Sequence, residues 1–590
     1  MKTKTRKRKI IQAVVVTAIV VVVALIIVLL AGKWFTHQES VVRAAWQVDV
    51  GDLLGKDETY ELEIRKAAVT ADLSVIQLVP FEVDAEGFTY YDTAVQERLA
   101  EALGRAKQLK RDGDSWGADA PLAVLNPFGT ASNALYLYFE TEFPTQVSYT
   151  IHVDKEEIPD YTATASNPNG EAFCKEHEFQ LIGLVPGETN EVTMTIRGSW
   201  GNIRQKVSFS ITMPETHSGY ATKLDYTDGE SSAALSDGLF AMMRTNGYLG
   251  YGFFFDNSGI LRYEMVLEGY GLDRMLTYGE DMVTCVSSTK LAKINPLGQV
   301  EQTYSLDGYE LHHDINYCGE NTLVALVERE GDVNVEDIVI EVNLETGEVT
   351  ELIDYKELMA EYYAETRPIS VIDDFFWQAG ERDWIHLNTI QYVEENDSLI
   401  VSSRETSTII KAEQIHTTPT LTWLAGDPAF WEGTAYEDLC LTPEGDFVFQ
   451  YGQHSVEYAG AGEEDGTYYL RLFNNNYWSL NTRDYSPKLD SSVGTGLYGG
   501  AHDHSSVYLY KIDENNRTFS LADSFTVPYS SIVSNVSPIG ESGNYVVNSG
   551  MEHVYGEYDA DGMLIRSFEY DCNMQGYRTF KSDFKGYWFQ

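Results

Sequence analysis

A chain of 590 residues is too long for one ordinary compact core, so two or more domains are expected. Its 90 acidic and 42 basic residues give a formal net charge of -48, which excludes nucleic-acid binding because phosphate recognition needs a basic surface. The same charge repels small anions at long range. An anionic substrate would therefore have to be held by a local cluster of positive donors.

The N-terminal segment has the pattern of a membrane anchor. A basic tail over residues 1–9 precedes an uncharged apolar stretch over residues 10–32, long enough to cross about 30 Å of hydrocarbon. The basic flank favours a cytoplasmic N-terminus, with everything after Lys33 outside the cell membrane. A cleaved signal peptide is the alternative, but its apolar region would span about 7 to 15 residues and end at an A-x-A-like site. The sequence therefore predicts an uncleaved single-pass anchor.

The cysteines are few, odd in number and widely spread. They are Cys174, Cys285, Cys318, Cys440 and Cys572. With no C-x-x-C pair and no zinc-like spacing, they predict no metal site. One or two disulfides would suit an extracytoplasmic protein, but the sequence does not say which cysteines pair.

Two regions of different character follow the anchor. Residues 33–115 are predicted to form an extracytoplasmic linker with one clear helix over 93–111, where apolar residues recur at three and four. Residues 116–215 consist of alternating strands separated by Pro, Gly and Asn turns. This is the pattern of an immunoglobulin-like β-sandwich.

The remainder, residues 219–590, repeats one theme of strand, turn and strand. NTIQYVEENDSLIVSS (388–403) aligns with HDINYCGENTLVALV (313–327), and more loosely with EDLCLTPEGDFVFQYG (437–452). Self-similar four-stranded units favour a β-propeller, because each blade buries its faces only against its neighbours. The predicted fold is all-β: a six-bladed β-propeller preceded by the sandwich, with an N-terminal transmembrane helix. An elongated array of β-sandwiches is the alternative.

Polar residues interrupt the apolar pattern of one predicted hairpin of the propeller. His386 and Asn388 are two apart on a strand, so their side chains share a face. If the turn centres on Asn396, Asn388 lies opposite Arg404, with His386 as a diagonal neighbour.

Equivalent positions of other blades carry further imidazoles. In the repeat alignment His313 takes the place of Asn388, and His454 lies just beyond a strand end where Arg404 lies in its own blade. Because a propeller directs equivalent blade positions at one central mouth, these residues and His386 are predicted to meet there. A guanidinium, an amide and several imidazoles, with no acidic residue in the set, suit a compact oxyanion such as a sulfuryl or phosphoryl group.

Each of these residues, taken alone, also has a purely structural interpretation. Arg404 could pair with Glu405 or Glu395 at the surface, and His454 could be capped by Glu457. Their joint placement on equivalent blade positions favours a functional site.

At these residues the chain resembles the bacterial aryl-sulfate sulfotransferases that use no nucleotide sulfate donor (PAPS-independent arylsulfotransferases). The segments that carry the resemblance are HHDI, DWIHLNTIQY…DSLIVSSRETSTIIK, WLAGDP, GQHS and VYLYKIDE…SNVSPIGESGNYVVNSG. It covers about residue 122 to the end, including NPFGT in the predicted sandwich. Members of that family are six-bladed propellers with an N-terminal β-sandwich, which agrees with the fold predicted from the repeats.

The resemblance implies a reaction and a role for each residue. A sulfuryl group would pass from an aryl sulfate donor to a phenolic acceptor by a ping-pong mechanism, with His454 as the nucleophile that forms a sulfohistidine. His386, Asn388 and Arg404 would stabilise the sulfuryl oxygens. His313 would be the general acid and base for the two phenols.

Several alternatives stay open at this point. His312 could replace His313, since the strand register is uncertain by one residue. Family members carry a disulfide in the loop before the nucleophilic histidine, whereas only Cys440 lies in that stretch here, so the loop must be ordered by other means. No cofactor or metal is expected, and a homodimer is possible. An aryl-sulfate hydrolase and a non-enzymatic propeller that binds an anion or a partner protein are the competing functions.

Overall fold

The computed structural model describes residues 2–44, 55–57, 61–81, 88–109, 116–167, 170–247, 249–269, 274–369, 380–500, 502–572 and 576–590. Within these ranges the α-helices are α1 Lys2–Phe35, α2 Thr93–Gln108, α3 Tyr355–Leu358, α4 Ala360–Glu365 and α5 Pro428–Trp431. Short 3-10 helices are formed by Phe88–Tyr91, Glu437–Leu439 and Gly550–Glu552. Strands account for almost all of the remaining regular structure.

Helix α1 carries the predicted apolar segment. Within its stretch Arg6–Phe35, an apolar window of 18 residues has a mean hydropathy of 3.5, and no part of that window is buried in the protein. Length and composition make it a candidate membrane span, a test that a signal sequence also passes. The N-terminal apolar helix expected from the sequence is therefore present.

The first domain is built on one extended, branched sheet. Its strands are β1 Val41–Arg43, β2 Gly55–Asp57, β3 Leu62–Lys66, β4 Thr70–Ala71, β5 Val75–Pro80, β6 Leu122–Leu125, β7 Leu135–Val153, β8 Tyr161–Thr164, β9 Cys174–Leu181, β10 Thr189–Gly198 and β11 Ile203–Thr212. The main order is β1-β11-β10-β7-β6-β5-β3-β2, with β4 on β11 and with β8 and β9 on β7. Alternating burial along β10 and β11 places one face of these strands on the core.

The region before the sandwich differs from the predicted linker. Strand β1 pairs in parallel with β11, and β5 pairs in parallel with β6, so the described parts of residues 33–115 extend the same sheet. Helix α2 begins after Asp92, whose carboxylate accepts the backbone N–H of Ala94 at 2.8 Å. Its apolar face, including Leu99 and Leu103, joins the core of the sandwich. The helix is therefore a packed element of the domain and not part of a linker.

The second domain is the predicted six-bladed propeller. Its strands are β12 Asp225–Asp228, β13 Leu239–Thr245, β14 Gly250–Phe255, β15 Leu261–Val266, β16 Met275–Tyr278, β17 Asp281–Ser287, β18 Lys290–Ile294, β19 Val300–Ser305, β20 Tyr309–Tyr317, β21 Thr322–Arg329, β22 Ile338–Asn343, β23 Val349–Asp354, β24 Leu387–Val393, β25 Ser398–Ser403, β26 Thr408–Glu413, β27 Thr420–Ala425, β28 Thr442–Glu444, β29 His454–Ala461, β30 Thr467–Asn474, β31 Ser505–Asp513, β32 Thr518–Val527, β33 Asn535–Pro538, β34 Tyr545–Ser549, β35 Val554–Tyr558, β36 Leu564–Glu569 and β37 Thr579–Ser582. They form six separate sheets of four or five strands.

The ring is closed by strands from both ends of the domain. Blade 1 consists of β37 followed by β13, β14 and β15, so the last strand of the chain supplies its innermost strand. Blades 2, 3 and 4 are β16–β19, β20–β23 and β24–β27. Blade 5 is β29–β32 with β28 at its edge, and blade 6 is β33–β36 with β12 at its edge. Interlocked closure of this kind holds the first and last blades together.

The innermost strands position the site. Strand β24 contacts both β20 and β29, and β29 contacts β33. We call the end of the propeller where β24, β29 and β37 begin the mouth, and the opposite end the base. Residues at or just before the starts of these strands are far apart in sequence but meet at the mouth.

Candidate active site

Irregular strand starts place the predicted residues at the mouth. The register of β20 shifts between Leu311 and Ile315, that of β24 between Leu387 and Thr389, and that of β29 after His454. A β-bulge adds a residue to one strand and redirects its side chains. The three neighbouring blades 3, 4 and 5 therefore turn polar side chains into a space that regular strands would fill with apolar ones.

The backbone at the same positions is strained. His313, Glu336, His386 and Ser455 have φ values of 55°, 58°, 48° and 56°. A residue other than glycine in this left-handed region costs on the order of 1 to 3 kcal/mol and persists only where the surroundings impose it. Such residues cluster at functional sites. Here the four lie at or directly beside His313, His386 and His454.

His454 is buried and its ring is held in one tautomer. Its Nδ1 lies 3.0 Å from the carbonyl oxygen of Gly452 and 2.8 Å from the Oδ1 of Asn475. The Asn475 Nδ2 donates to the carbonyls of Ser530 and Val533 at 2.7 and 3.0 Å, so its amide oxygen must face the ring. Because both neighbours of Nδ1 are acceptors, the proton lies on Nδ1 and the Nε2 carries a lone pair.

The charge state of His454 follows from its surroundings. Burial holds the pKa of His454 well below its usual range, and the nearby His313 and His386 rings and the Arg404 guanidinium lower it further. The ring is therefore neutral near pH 7. A buried, neutral imidazole with a lone pair on Nε2 has the chemistry of a nucleophile. The alternative, in which Glu457 caps His454, is wrong, because the ring contacts Asn475.

The loop before His454 is ordered by hydrogen bonds. The Gln450 Nε2 donates to the carbonyls of Ser407 and Ala425 at 3.2 and 2.9 Å, and the Gly452 N–H donates to the Ser407 Oγ at 3.0 Å. Gly452 has φ +63°, and a Cβ there would lie 2.7 Å from the carbonyl of Tyr477. All five cysteines are free thiols, so side-chain amides fix this loop without a disulfide.

Two carboxylates that the sequence did not predict hold the imidazoles of blades 3 and 4. The His386 Nδ1 lies 2.6 Å from Asp383 Oδ2 and 2.8 Å from Glu336 Oε2. The same Glu336 oxygen lies 3.1 Å from His313 Nε2. Burial alone would lower the pKa of His386, but the two carboxylates outweigh it and raise the pKa to about 10. Although burial opposes ionisation of Glu336, the two imidazoles keep its pKa well below the usual range.

His313 contacts His454 more directly than His312 does. The ring centroid of His313 lies 6.3 Å from that of His454 and 4.9 Å from that of His386. His312 lies against His313, at 5.3 Å between ring centroids. Burial lowers the pKa of His312 to about 3, so it is not protonated at neutral pH.

Asn388 lies in the site, but the predicted pairing of Asn388 with Arg404 is wrong. Leu387 pairs with Ser403 and Thr389 with Ser402, which leaves Asn388 as the extra residue of the bulge. Its side chain is fully buried, and its Nδ2 donates to the carbonyl of Gln453 at 2.8 Å. The bulge thus turns the Asn388 amide toward the loop that carries His454.

Arg404 belongs to the same cluster through its neighbours. Its backbone N–H donates to the carbonyl of His386 at 3.0 Å, and its Nη1 lies 3.5 Å from Glu405 Oε2. Only 8% of Arg404 is exposed, so this pair is buried and not on the surface. The guanidinium also acts on the pKa values of Asp383 and His454, which places its charge among the site groups.

The closing strand of blade 1 adds two residues that sequence reasoning missed. The Tyr577 ring lies 5.3 Å from that of His313 and 5.9 Å from that of His454, and its hydroxyl donates to the carbonyl of Asn388 at 3.0 Å. Arg578 donates to the carbonyls of His313 and Asn388. These residues precede β37, more than a hundred positions after His454. The aligned repeats do not include β37, so they give no signal for Tyr577 or Arg578.

Two sets of side chains in the site have the composition of metal ligands, namely His312, His313 and Glu336, and Glu336, Asp383 and His386. They share Glu336, and in the second set the His386 Nδ1 is already within hydrogen-bond distance of both carboxylates. A proton on His386 satisfies these contacts. The arrangement therefore fits an ion-pair network that orients two imidazoles toward His454.

Comparison with known proteins gives one strong match. Residues 226–579 match the family model described as Arylsulfotransferase (ASST), and residues 122–214 match the model described as the Arylsulfotransferase Ig-like domain. The first match covers more than half of the chain and includes the predicted site residues; the second covers strands β6–β11. No curated protein matches the chain.

Solved structures resemble the chain only weakly. A functionally unknown protein from Desulfotomaculum acetoxidans has 10% identity, a TM-score of 0.32 and coverage of 59% of this chain and 99% of that chain. A hypothetical selenium-binding protein from Sulfolobus tokodaii has 9% identity, a TM-score of 0.31 and coverage of 65% and 91%. Virginiamycin B lyase from Staphylococcus aureus has 8% identity, a TM-score of 0.27 and coverage of 58% and 87%. These similarities are too low to bear on function.

Proposed function

The chain belongs to the arylsulfotransferase family, and we propose that it transfers a sulfuryl group from an aryl sulfate to a phenol through a sulfohistidine at His454, without a nucleotide sulfate donor. The observation that carries this proposal is the tautomer of His454. Gly452 and Asn475 hold the proton on Nδ1, which leaves the Nε2 lone pair available for attack on sulfur.

In the first half-reaction the Nε2 of His454 attacks the sulfur atom of the donor. The N–S bond forms as the bond between sulfur and the aryl oxygen breaks, and the departing oxygen takes a proton from His313. Because Nδ1 keeps its proton, the sulfated ring carries a positive charge and remains a good leaving group. General acid catalysis of this kind typically contributes about 10² to 10⁴ in rate.

In the second half-reaction an acceptor phenol attacks the same sulfur atom. Its proton passes to His313, the S–O bond forms, and the N–S bond breaks to restore neutral His454. We assign this role to His313 over His312 because His313 contacts both His454 and the Glu336 carboxylate, which can stabilise its protonated form. Tyr577, whose ring contacts both His313 and His454, supplies an aromatic wall beside the phenols.

The sulfuryl oxygens are assigned to three donors. Protonated His386 and Arg404 supply charge where oxygen charge changes in each transition state. One N–H of the Asn388 amide binds the Gln453 carbonyl, and we assign the other to a sulfuryl oxygen. Asn388 would then couple substrate binding to the position of the nucleophile loop.

We further propose that helix α1 is an uncleaved anchor and that both domains lie outside the cell membrane. The helix runs on to Phe35, and its end contacts the sandwich, because Asn202 donates to the carbonyl of Trp34 at 3.0 Å and the Trp34 ring lies 5.3 Å from Phe143. Such contacts are expected of a permanent element. Protease added to intact cells should digest the propeller of a protein that retains its N-terminus; protection of the propeller would contradict this topology.

The reaction is tested with the full chain in detergent. The protein is mixed with 4-nitrophenyl sulfate, with and without phenol, while nitrophenolate release is followed and His454 is examined by mass spectrometry. Phenol-dependent turnover and the added mass of one SO3 group on His454 are expected, both lost in His454→Ala and retained in His152→Ala, which removes an exposed imidazole of the sandwich. Turnover without phenol dependence would indicate hydrolysis, and no release across several aryl sulfates would refute the enzyme proposal.

A further inference from the structure

A second cluster of reactive side chains lies at the base of the propeller, between blades 3 and 4. It contains Cys318 just after β20, Glu341 on β22 and His416 in the turn after β26. One ligand atom from each residue, the Cys318 Sγ, a Glu341 carboxylate oxygen and a His416 ring nitrogen, lies within 4.8 Å of the other two. No family match or substrate role accounts for this meeting of three elements.

The spacing of these atoms suits a tetrahedral zinc ion. The His416 Nε2 lies 3.0 Å from Glu341 Oε2 and 3.8 Å from Cys318 Sγ. Zinc bonds of about 2.3 Å to sulfur and about 2.0 to 2.1 Å to nitrogen or oxygen separate tetrahedral ligand atoms by about 3.3 to 3.6 Å. The two observed separations lie on either side of this range, so shifts of a few tenths of an ångström would complete three corners of the tetrahedron.

A fourth residue orients the histidine. Asp397 Oδ1 lies 2.6 Å from His416 Nδ1, and its Oδ2 accepts the backbone N–H of His416 at 3.0 Å. This contact directs Nε2 toward Cys318 and Glu341. A carboxylate that accepts the outer N–H of a metal-binding histidine is the usual partner of such a ligand, because it fixes the ring and raises its basicity.

Burial and charge also fit a divalent cation. The Cys318 side chain is buried, at 6% exposure, and its thiol lies against the imidazole. His416 and Glu341 are partly exposed, with 35% and 20% of their side chains accessible, so an ion can enter from solvent at the base. A thiolate and a carboxylate neutralise two positive charges, and the net charge of -48 attracts cations at long range.

We propose that Cys318, Glu341 and His416 bind a zinc-class divalent cation that links blades 3 and 4, with Asp397 as the positioning residue and water as the fourth ligand. On binding, Cys318 releases its thiol proton to solvent and donates a sulfur lone pair, while the Nε2 of His416 binds in its unprotonated form. The site lies at the base of the propeller, where Cys318 follows His313 by five residues along the chain, and not at the mouth. It therefore acts on the stability of the ring and not on sulfuryl transfer.

The metal-free alternative is an imidazolium held between two carboxylates, since Glu341 and Asp397 flank the two ring nitrogens of His416. In that arrangement the Cys318 thiol takes no part in binding a cation. The two states differ in whether sulfur binds the cation, which cobalt reports directly, because thiolate ligation gives a charge-transfer band in the near ultraviolet.

The test uses the full chain in detergent, treated with a chelator and titrated with Co²⁺. One Co²⁺ per chain with a thiolate charge-transfer band, displaced by one Zn²⁺, is expected. Cys318→Ser and His416→Gln should each abolish stoichiometric tight binding, whereas Cys440→Ser, which changes a part-buried thiol outside the cluster, should not. Zn²⁺ should raise the Tm of the parent protein and leave that of Cys318→Ser unchanged, with aryl sulfate turnover equal in the two.

Three results would overturn the proposal. They are the absence of stoichiometric Co²⁺ binding to the parent chain, binding without the charge-transfer band, and a band that persists in Cys318→Ser. Because turnover is measured in the same samples, failure of the metal site is distinguishable from failure of the proposed sulfotransferase activity.

Discussion

Replacement of Glu336 by Gln removes the charge that links the two imidazoles of blades 3 and 4 while it keeps the size of the side chain. In the parent protein Glu336 and Asp383 hold the pKa of His386 at about 10. Relative to the ordinary value of about 6.5, this is a preference of about 5 kcal/mol for the protonated ring, at about 1.4 kcal/mol for each pKa unit. Asp383 keeps its contact at 2.6 Å in the variant, so only part of this preference is lost.

An opposite charge within about 4 to 6 Å typically moves a pKa by about 1 to 3 units. In Glu336→Gln the pKa of His386 should therefore fall to about 8. Since the proposed role of His386 requires its proton, the contribution of His386 to kcat/KM should be lost in the parent as pH rises through about 10, and in the variant at correspondingly lower pH. The stability of the fold should depend on pH in the same direction. The raised pKa of His386 means that its protonated ring stabilises the folded state fully below about pH 6.5, and this contribution is lost as pH rises toward about 10.

The assay is nitrophenolate release at saturating phenol across pH 6 to about 11, with each sample brought to one alkaline pH before it is read. Glu351→Gln, which removes a carboxylate paired with Arg329 in the same blade, should leave the profile unchanged. An upper limb at the same pH in Glu336→Gln as in the parent would refute the view that His386 acts as a cation held by Glu336.

Three further variants test the other contacts. Asn475→Leu removes the acceptor that fixes the His454 tautomer, so the burst of nitrophenolate in a single turnover should slow by about 10- to 100-fold; an unchanged burst would mean that the Gly452 carbonyl suffices. Arg404→Lys keeps the charge but loses the planar fork, and a loss of roughly 10²-fold in kcat with folding retained is expected. If kcat of Arg404→Lys stays within a factor of two of the parent value, the positive charge alone would explain the contribution of Arg404 to catalysis. Arg578→Gln removes donors to the buried His313 and Asn388 carbonyls, and chemical denaturation should show about 1 to 3 kcal/mol less stability; an equal stability would place those carbonyls in contact with water.

Much of the fold could be predicted from sequence because strand periodicity and turn residues are local signals. The sandwich, the propeller blades and a helix within the predicted range 93–111 are all present in the structure. The parallel pairing of β1 with β11 could not be predicted from sequence. Strand β1 has only three residues, too few to show a periodic pattern, and its partner lies more than 150 positions away. For the same reason, the sequence of residues 33–115 indicates a linker and does not reveal the short strands β1 to β5.

The candidate site was found in part because the blades repeat. Aligned repeats brought His313, His386 and His454 together, but the register of Asn388 failed at a bulge. Alternation cannot reveal an extra residue where β24 begins with four consecutive buried positions. Asp383 lies three residues before His386 at a strand start, which is a detectable signal, whereas Glu336 lies in the connection between β21 and β22 and has none.

The acidic residues change how the site must recognise its substrate. The sequence suggested a positive cluster with no acidic member, but buried carboxylates accompany the buried cations. The buried cations are His386, Arg404 and Arg578, joined by the partly buried Arg274, and the acids are Asp314, Glu336, Asp383 and Glu405. A compensated network of this kind creates little attraction at a distance, and the surface charge opposes the approach of an anion. In the proposed reaction, selection of an aryl sulfate must therefore come from directional hydrogen bonds at contact distance. The donors assigned to the sulfuryl oxygens are His386, Asn388 and Arg404, so substrate binding and the first chemical step would depend on the same contacts.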